Sequence, residues 1–113
     1  MTLVISDGMS KSAALAVSPA CPCCGLDLTA PELDAAVKKL WERVGPLRIT
    51  SGTRCPSHNR AVGGVPRSRH LRGRAVDVAA DSGLLRAICR VAEECGFNQI
   101  LPYQEKGYVH LGV

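Results

Sequence analysis

Aromatic side chains are scarce. Trp41, Phe97, Tyr103 and Tyr108 are the whole set in 113 residues, so a core has to rest on Leu, Val, Ile and Ala. Long apolar runs are missing too, and none approaches the roughly 18–20 residues needed to cross a bilayer. The best secretory segment, Ala13-Ala14-Leu15-Ala16-Val17, runs straight into Ser18-Pro19. A signal core needs about 7–15 apolar residues behind a positive flank, where this chain has the acidic Asp7. The expectation is a protein made without a signal peptide, cytoplasmic as synthesised and with no membrane partner. Cysteine is too thin for a disulfide scaffold, with six residues in the chain. In a reducing compartment these point to thiols or a metal. Charge of one sign is also missing: 14 Lys/Arg against 10 Asp/Glu leave +4, which suits an anionic partner without choosing one.

What is present is the composition of one ordinary globular domain, 46% apolar and 21% charged, which excludes wholesale disorder. Residues 1–20 lack a period and read as a loosely ordered N-terminal arm ahead of a single domain over 21–113. A helix is expected from Pro31 to Val44, because Leu33, Ala36, Val37, Leu40, Trp41 and Val44 form one stripe. Thr29 and Glu32 are spaced as a capping box, and Gly45-Pro46 ends the run. Leu47–Thr50 reads as a short strand. The glycine-rich stretch 52–73 reads as a long loop, which in a compact domain is usually functional. Arg74–Ala80 is a second strand, with Val76 and Val78 on one face and Ala75, Asp77 and Ala79 on the other. A second helix follows, capped by Asp81 or Ser82, with Leu85, Ile88, Ala92 and Cys95 inward and Gly96 closing it. Asn98–Tyr103 and Tyr108–Val113 read as paired strands. The order favours an α+β fold, a small antiparallel sheet packed against two main helices.

The sharpest chemical feature joins Ser68-Arg69-His70-Leu71-Arg72-Gly73-Arg74-Ala75-Val76-Asp77 to the distant Tyr108-Val109-His110-Leu111. Asp77 is the one charged residue on its strand face, and a carboxylate between alanines is costly unless paired. If the second and last strands are neighbours, Asp77 and His110 converge, and His70 can fold over them from the loop. Two imidazoles and a carboxylate suit zinc, and three protein ligands leave a fourth position open. Spacing alone leaves a plain Asp–His hydrogen bond with a surface histidine as the alternative.

Ser51-Gly52-Thr53-Arg54, Asn59-Arg60-Ala61-Val62-Gly63-Gly64, the Ser68–Asp77 block and Tyr-Val-His-Leu together resemble the zinc D-alanyl-D-alanine carboxypeptidase family over about residues 28–113. That family includes phage endolysins and vancomycin-resistance D,D-dipeptidases and shares its fold with the hedgehog signalling domain. The resemblance implies that His70, Asp77 and His110 hold a catalytic zinc and that Arg54 contacts the substrate carbonyl or carboxylate. It implies a role for Ser68 in bonding substrate or steadying the loop before His70. Many relatives carry an acid three positions before the last histidine, where this chain has Gly107, so Glu105 is the candidate general base. Strict alternation points Glu105 away from His110, and a turn or bulge at Lys106-Gly107 would have to re-aim it.

Cys21-Pro22-Cys23-Cys24-Gly25 has the shape of a zinc knuckle, and Cys55-Pro56-Ser57-His58 lies thirty residues further on. Cys21, Cys24, Cys55 and His58 form a candidate second, structural metal site, with Cys23 spare or replacing a neighbour. Free thiols or one disulfide are the alternative. Cys89 and Cys95 read as small buried hydrophobes. The leading expectation is a monomeric zinc metallopeptidase. It would hydrolyse an amide of peptidoglycan stem peptides at a D-Ala-D-Ala or L-alanyl-D-glutamate-type bond, acting on the cell wall after release. An inactive relative that binds wall peptide or protein is one alternative. A nucleic-acid-binding zinc-knuckle module is another, but it lacks stacking aromatics among its arginines and leaves Asp77 and His110 unexplained, so no nucleic-acid partner is expected.

Overall fold

A computed structural model of the chain describes residues 20–113. But for Ala20, the N-terminal arm expected from the sequence lies outside them. The elements in chain order are α1 (Pro31–Val44), β1 (Arg48–Ser51), α2 (Pro56–Ala61), β2 (Ala75–Ala79), α3 (Ser82–Cys95), β3 (Gln99–Tyr103) and β4 (Tyr108–Gly112). Short 3-10 turns at Arg69–Arg72 and Gln104–Lys106 precede β2 and β4. The strands form one antiparallel sheet in the order β1-β2-β4-β3. This is the α+β architecture expected, with two main helices against a four-stranded sheet.

Periodicity builds the helices. Leu33, Ala36, Val37 and Leu40 of α1 are buried, as are Leu85, Ile88, Ala92 and Cys95 of α3. They join Ile49, Val76, Val78, Val109, Leu111 and Phe97 in a single core between the helices and one face of the sheet. Each such large side chain taken from water contributes roughly 1.5–3 kcal/mol, which is how so few aromatics suffice. Asp81 caps α3, its carboxylate accepting from the Leu84 N–H at 2.8 Å, and Gly96 closes it in the left-handed region.

The expected capping box on α1 does not form. The N-cap is Ala30, one residue later than Thr29: its carbonyl accepts the first helical bond from the Asp34 N–H at 3.0 Å, and its own N–H donates to the Gly73 carbonyl at 2.8 Å. Thr29 donates instead to Asp27, and Glu32 pairs with Arg74 at 3.6 Å. The 52–73 stretch is not all loop either. It contains α2, whose six residues are too few to display a helical period, and the turn that carries His70.

Two irregularities shape the face of the sheet opposite the helices. Ile49 pairs with Val78 but Ser51 pairs with Asp77, so β1 carries an extra residue, Thr50, whose hydroxyl donates to the Asp77 carbonyl at 3.3 Å. A bulge of this kind bends its strand, here just before Ser51 and Gly52. At the other end of the sheet, Gly107 (φ 79°) closes the 3-10 turn between β3 and β4. Tyr103 and Tyr108 stack across that hairpin with ring centroids 4.8 Å apart.

Candidate metal centre

Antiparallel register sets the centre. Asp77 lies directly opposite His110 on β4, and the same row continues to Ser51 on β1 and Leu101 on β3. Because Val76, Val78, Val109 and Leu111 occupy the helix-covered face, alternation turns Asp77 and His110 the other way. His70 arrives from the 3-10 turn, whose second amide is capped by Ser68: its Oγ accepts from the His70 N–H at 3.1 Å. Ser68 is thus the N-cap of the turn that carries His70.

One carboxylate oxygen, Asp77 Oδ1, stands 3.1 Å from His70 Nε2 and 3.1 Å from His110 Nδ1. The imidazoles meet edge to face at 5.0 Å. Their outer nitrogens are committed: His70 Nδ1 donates to the Gly52 carbonyl at 2.7 Å, and His110 Nε2 to Gln99 Oε1 at 2.6 Å. A neutral imidazole that donates from one nitrogen presents a lone pair at the other. Two such lone pairs and a carboxylate oxygen then converge on one point, a repulsive arrangement that a cation relieves. Ligands about 2.1 Å from a tetrahedral ion lie about 3.4 Å apart, close to the spacing seen. The three side chains fit a metal ion, and the hydrogen bonds to Gly52 and Gln99 orient them as metal-bound histidines usually are.

The pocket's electrostatics support the ionised carboxylate. Burial alone would raise the Asp77 pKa; with no metal bound and protons rather than lone pairs on the facing imidazole nitrogens, hydrogen bonds and charge from His110 and His70 outweigh it and bring the carboxyl down to about 2. Arg54 adds an ion pair, Nη2 to Asp77 Oδ2 at 3.4 Å. The guanidinium is held by Asn59 Oδ1 at 2.9 Å and Ser51 Oγ at 3.3 Å. Asn59 is itself only 3% exposed and donates to the Val65 carbonyl. Gly64 lies so close that a Cβ there would strike Asn59 Oδ1 and come within 2.7 Å of Arg54 Nη1.

Above the three residues opens a cleft of about 460 Å³. Arg54, Arg67, Arg69, Arg72 and Lys106 line it, together with Tyr103 and Tyr108, and Asp77 is the sole carboxylate among the lining residues. Glu105 is absent from that lining. It faces a separate depression walled by Pro102, Tyr103, Gln104 and Lys106. The turn that was to re-aim Glu105 brings its neighbour Lys106 to the cleft instead.

The cysteines group differently from the Cys21, Cys24, Cys55 and His58 set suggested by sequence. Cys21, Cys23, Cys24 and Cys55 lie with their sulfurs within 4.8 Å of one another, close enough to share an ion. His58 stands outside the group. Cys55 is the N-cap of α2, so His58 meets it through its backbone, the N–H donating to Cys55 Sγ at 3.4 Å. Cys95 is buried in the core as expected, and Cys89 is half-buried.

Gln99, Asn59 and the Gly52 carbonyl are the contributors that sequence reasoning misses. None is readable from the sequence alone, and Gln99 becomes so only once the strand register is known. It pairs with Gly112, two positions along from the Leu101–His110 pair, so it is the diagonal neighbour of His110 on the same face. The bare Gly112 leaves room for its amide.

Fold and centre together define an α+β protein with a buried two-histidine, one-aspartate cluster at the floor of a cationic cleft. The model of the Peptidase M15 family matches residues 9–112, and the chain belongs to that family. Peptides are accordingly its substrate class. No curated protein matches the chain. No helix among the described residues is long and apolar enough to cross a membrane.

Proposed function

We propose that the chain is a zinc-dependent peptidase that hydrolyses an amide bond in peptidoglycan stem peptides at the cell wall. The observation that carries this reading is the convergence of His70 Nε2, His110 Nδ1 and Asp77 Oδ1 at the floor of an open cleft. His70, Asp77 and His110 would hold the zinc, which would supply a Lewis acid able to polarise a carbonyl and acidify a water. Arg54, anchored on Asn59 and Ser51, is aimed by its bond to Asp77 so that it can also meet a carbonyl oxygen or carboxylate of the substrate. Ser68 holds the His70 turn. Five cationic residues around the cleft favour a substrate bearing carboxylates, which stem peptides do.

Proton transfer is assigned to Glu105, the carboxylate on the hairpin turn beside the cleft, and requires that turn to rotate once substrate is bound. The position of Glu105 outside the cleft favours, as a second reading, a relative that binds the same peptides without cutting them. Incubating the zinc-loaded protein with purified muropeptides and weighing the products by mass spectrometry separates the two. Hydrolysis lost in His70→Ala, and lost in Glu105→Gln with zinc content intact, is the expected result. Binding without any cleavage by the wild-type protein would leave only the second reading.

A further inference from the structure

We infer that Cys21, Cys23, Cys24 and Cys55 form a second metal site, a closed four-thiolate zinc centre that fastens the segment before α1 to the start of α2. The sulfur spacing is the first argument. Cys21 and Cys23 are 3.7 Å apart and Cys23 and Cys55 3.2 Å, with all four sulfurs within 4.8 Å. Zn–S bonds of about 2.3 Å in a tetrahedron set sulfurs about 3.8 Å apart, whereas a disulfide brings two of them to about 2.05 Å and excludes the others.

The backbone is the second argument. Residues 21–26 fold into a knuckle: the Cys21 N–H donates to the Leu26 carbonyl at 2.7 Å, the Gly25 N–H to the Cys21 carbonyl at 2.8 Å, and Gly25 takes φ 80°. The Cys55 and His58 N–H groups donate to the sulfurs of Cys21 and Cys55 at 3.5 and 3.4 Å. Amides aimed at sulfur are what a thiolate site needs around it. Cys21 is 2% exposed and sits at the base of the knuckle, with Cys23 and Cys24 at the surface.

Four sulfur ligands leave no open position, so this centre is structural and distinct from the one at Asp77. Its place in the fold gives it a task. Four residues beyond Cys55, Asn59 holds the Arg54 guanidinium, and on the other side of the tether Leu28 N–H donates to Thr53 Oγ1 at 3.0 Å. A zinc across Cys21 and Cys55 would brace both ends of the Thr53–Asn59 arm. Each thiol gives up its proton on binding, so the site loads more tightly as pH rises.

The inference does not rest on the hydrolytic reading and is tested apart from it. The full chain, loaded with zinc, is expected to hold about two ions, falling to about one in His70→Ala and to about one in Cys23→Ser combined with Cys55→Ser. Cobalt loading of the unmutated chain should give an intense thiolate-to-cobalt charge-transfer band that survives in His70→Ala and in His58→Ala. The cobalt spectrum covers the case in which the cysteine variant fails to fold. No thiolate band, a mass showing these cysteines oxidised in pairs in freshly reduced, metal-loaded protein, or loss of the band in His58→Ala would each overturn the four-cysteine site.

Discussion

One oxygen of Asp77 faces two imidazole nitrogens while the other accepts from Arg54, so a single carboxylate organises the whole centre. Its folded pKa, about 2, lies below the ordinary 3.8. Ionised Asp77 therefore contributes stability that is fully present above about pH 4 and is lost as pH falls through about 2. The melting temperature of the metal-free protein should drop across that window, and Asp77→Asn should flatten the drop while lowering stability at neutral pH. An unchanged acid limb in the variant would show that the pairing carries no weight. Gln99 acts one bond further out. Gln99→Ala removes the acceptor that fixes His110 with its Nδ1 lone pair inward, and should weaken zinc binding by about 10–100-fold in chelator competition. The histidines and the aspartate were legible because the Ser68–Asp77 block and the Tyr-Val-His-Leu run resemble a known family, residue types alone leaving a plain Asp–His bond open. Gln99 was not, because an amide acquires meaning only from its partner.

The 3-10 turn at Arg69–Arg72 shows how an element too short for a period can still be required. It ends on Gly73 at φ 66°, where a Cβ would collide with the Leu28 carbonyl as the segment before α1 crosses. Gly73→Ala should cost at least about 1–2 kcal/mol from the left-handed backbone alone. Urea denaturation should register that loss, together with weaker metal binding, because His70 rides on the turn. A neutral effect would mean the crossing is loose. The longer elements were readable in advance. Helices α1 and α3 carry apolar stripes repeated over several turns, and β2 and β4 alternate cleanly. Helix α2, at six residues, gives no such repeat. The bulge at Thr50 was unreadable for another reason: it is a mismatch between two strands and belongs to neither sequence alone.

Across the whole molecule, the cations of the cleft come from the loop after β1, from the 3-10 turn at Arg69–Arg72 with Arg67 just before it, and from the β3–β4 hairpin. Converging like charge on one opening draws anionic peptides in and is screened by salt. The kcat/KM on carboxylate-bearing muropeptides should fall several-fold between about 0.05 and 0.5 M salt, and Arg67→Glu should lower it and blunt the salt dependence. A salt-independent rate would remove charge from substrate selection.

By itself the sequence determined the helix stripes, the alternation of the sheet and the chemistry available at His70, Asp77 and His110, because these are local repeats and residue types. Only the tertiary structure decided which face of the sheet faces the cleft, that Cys23 rather than His58 joins the other cysteines, and that Lys106 rather than Glu105 lines the opening. Those outcomes depend on strand pairing and on the phase of short turns. A shift of one residue in either reverses where a side chain points, while barely altering the pattern along the chain.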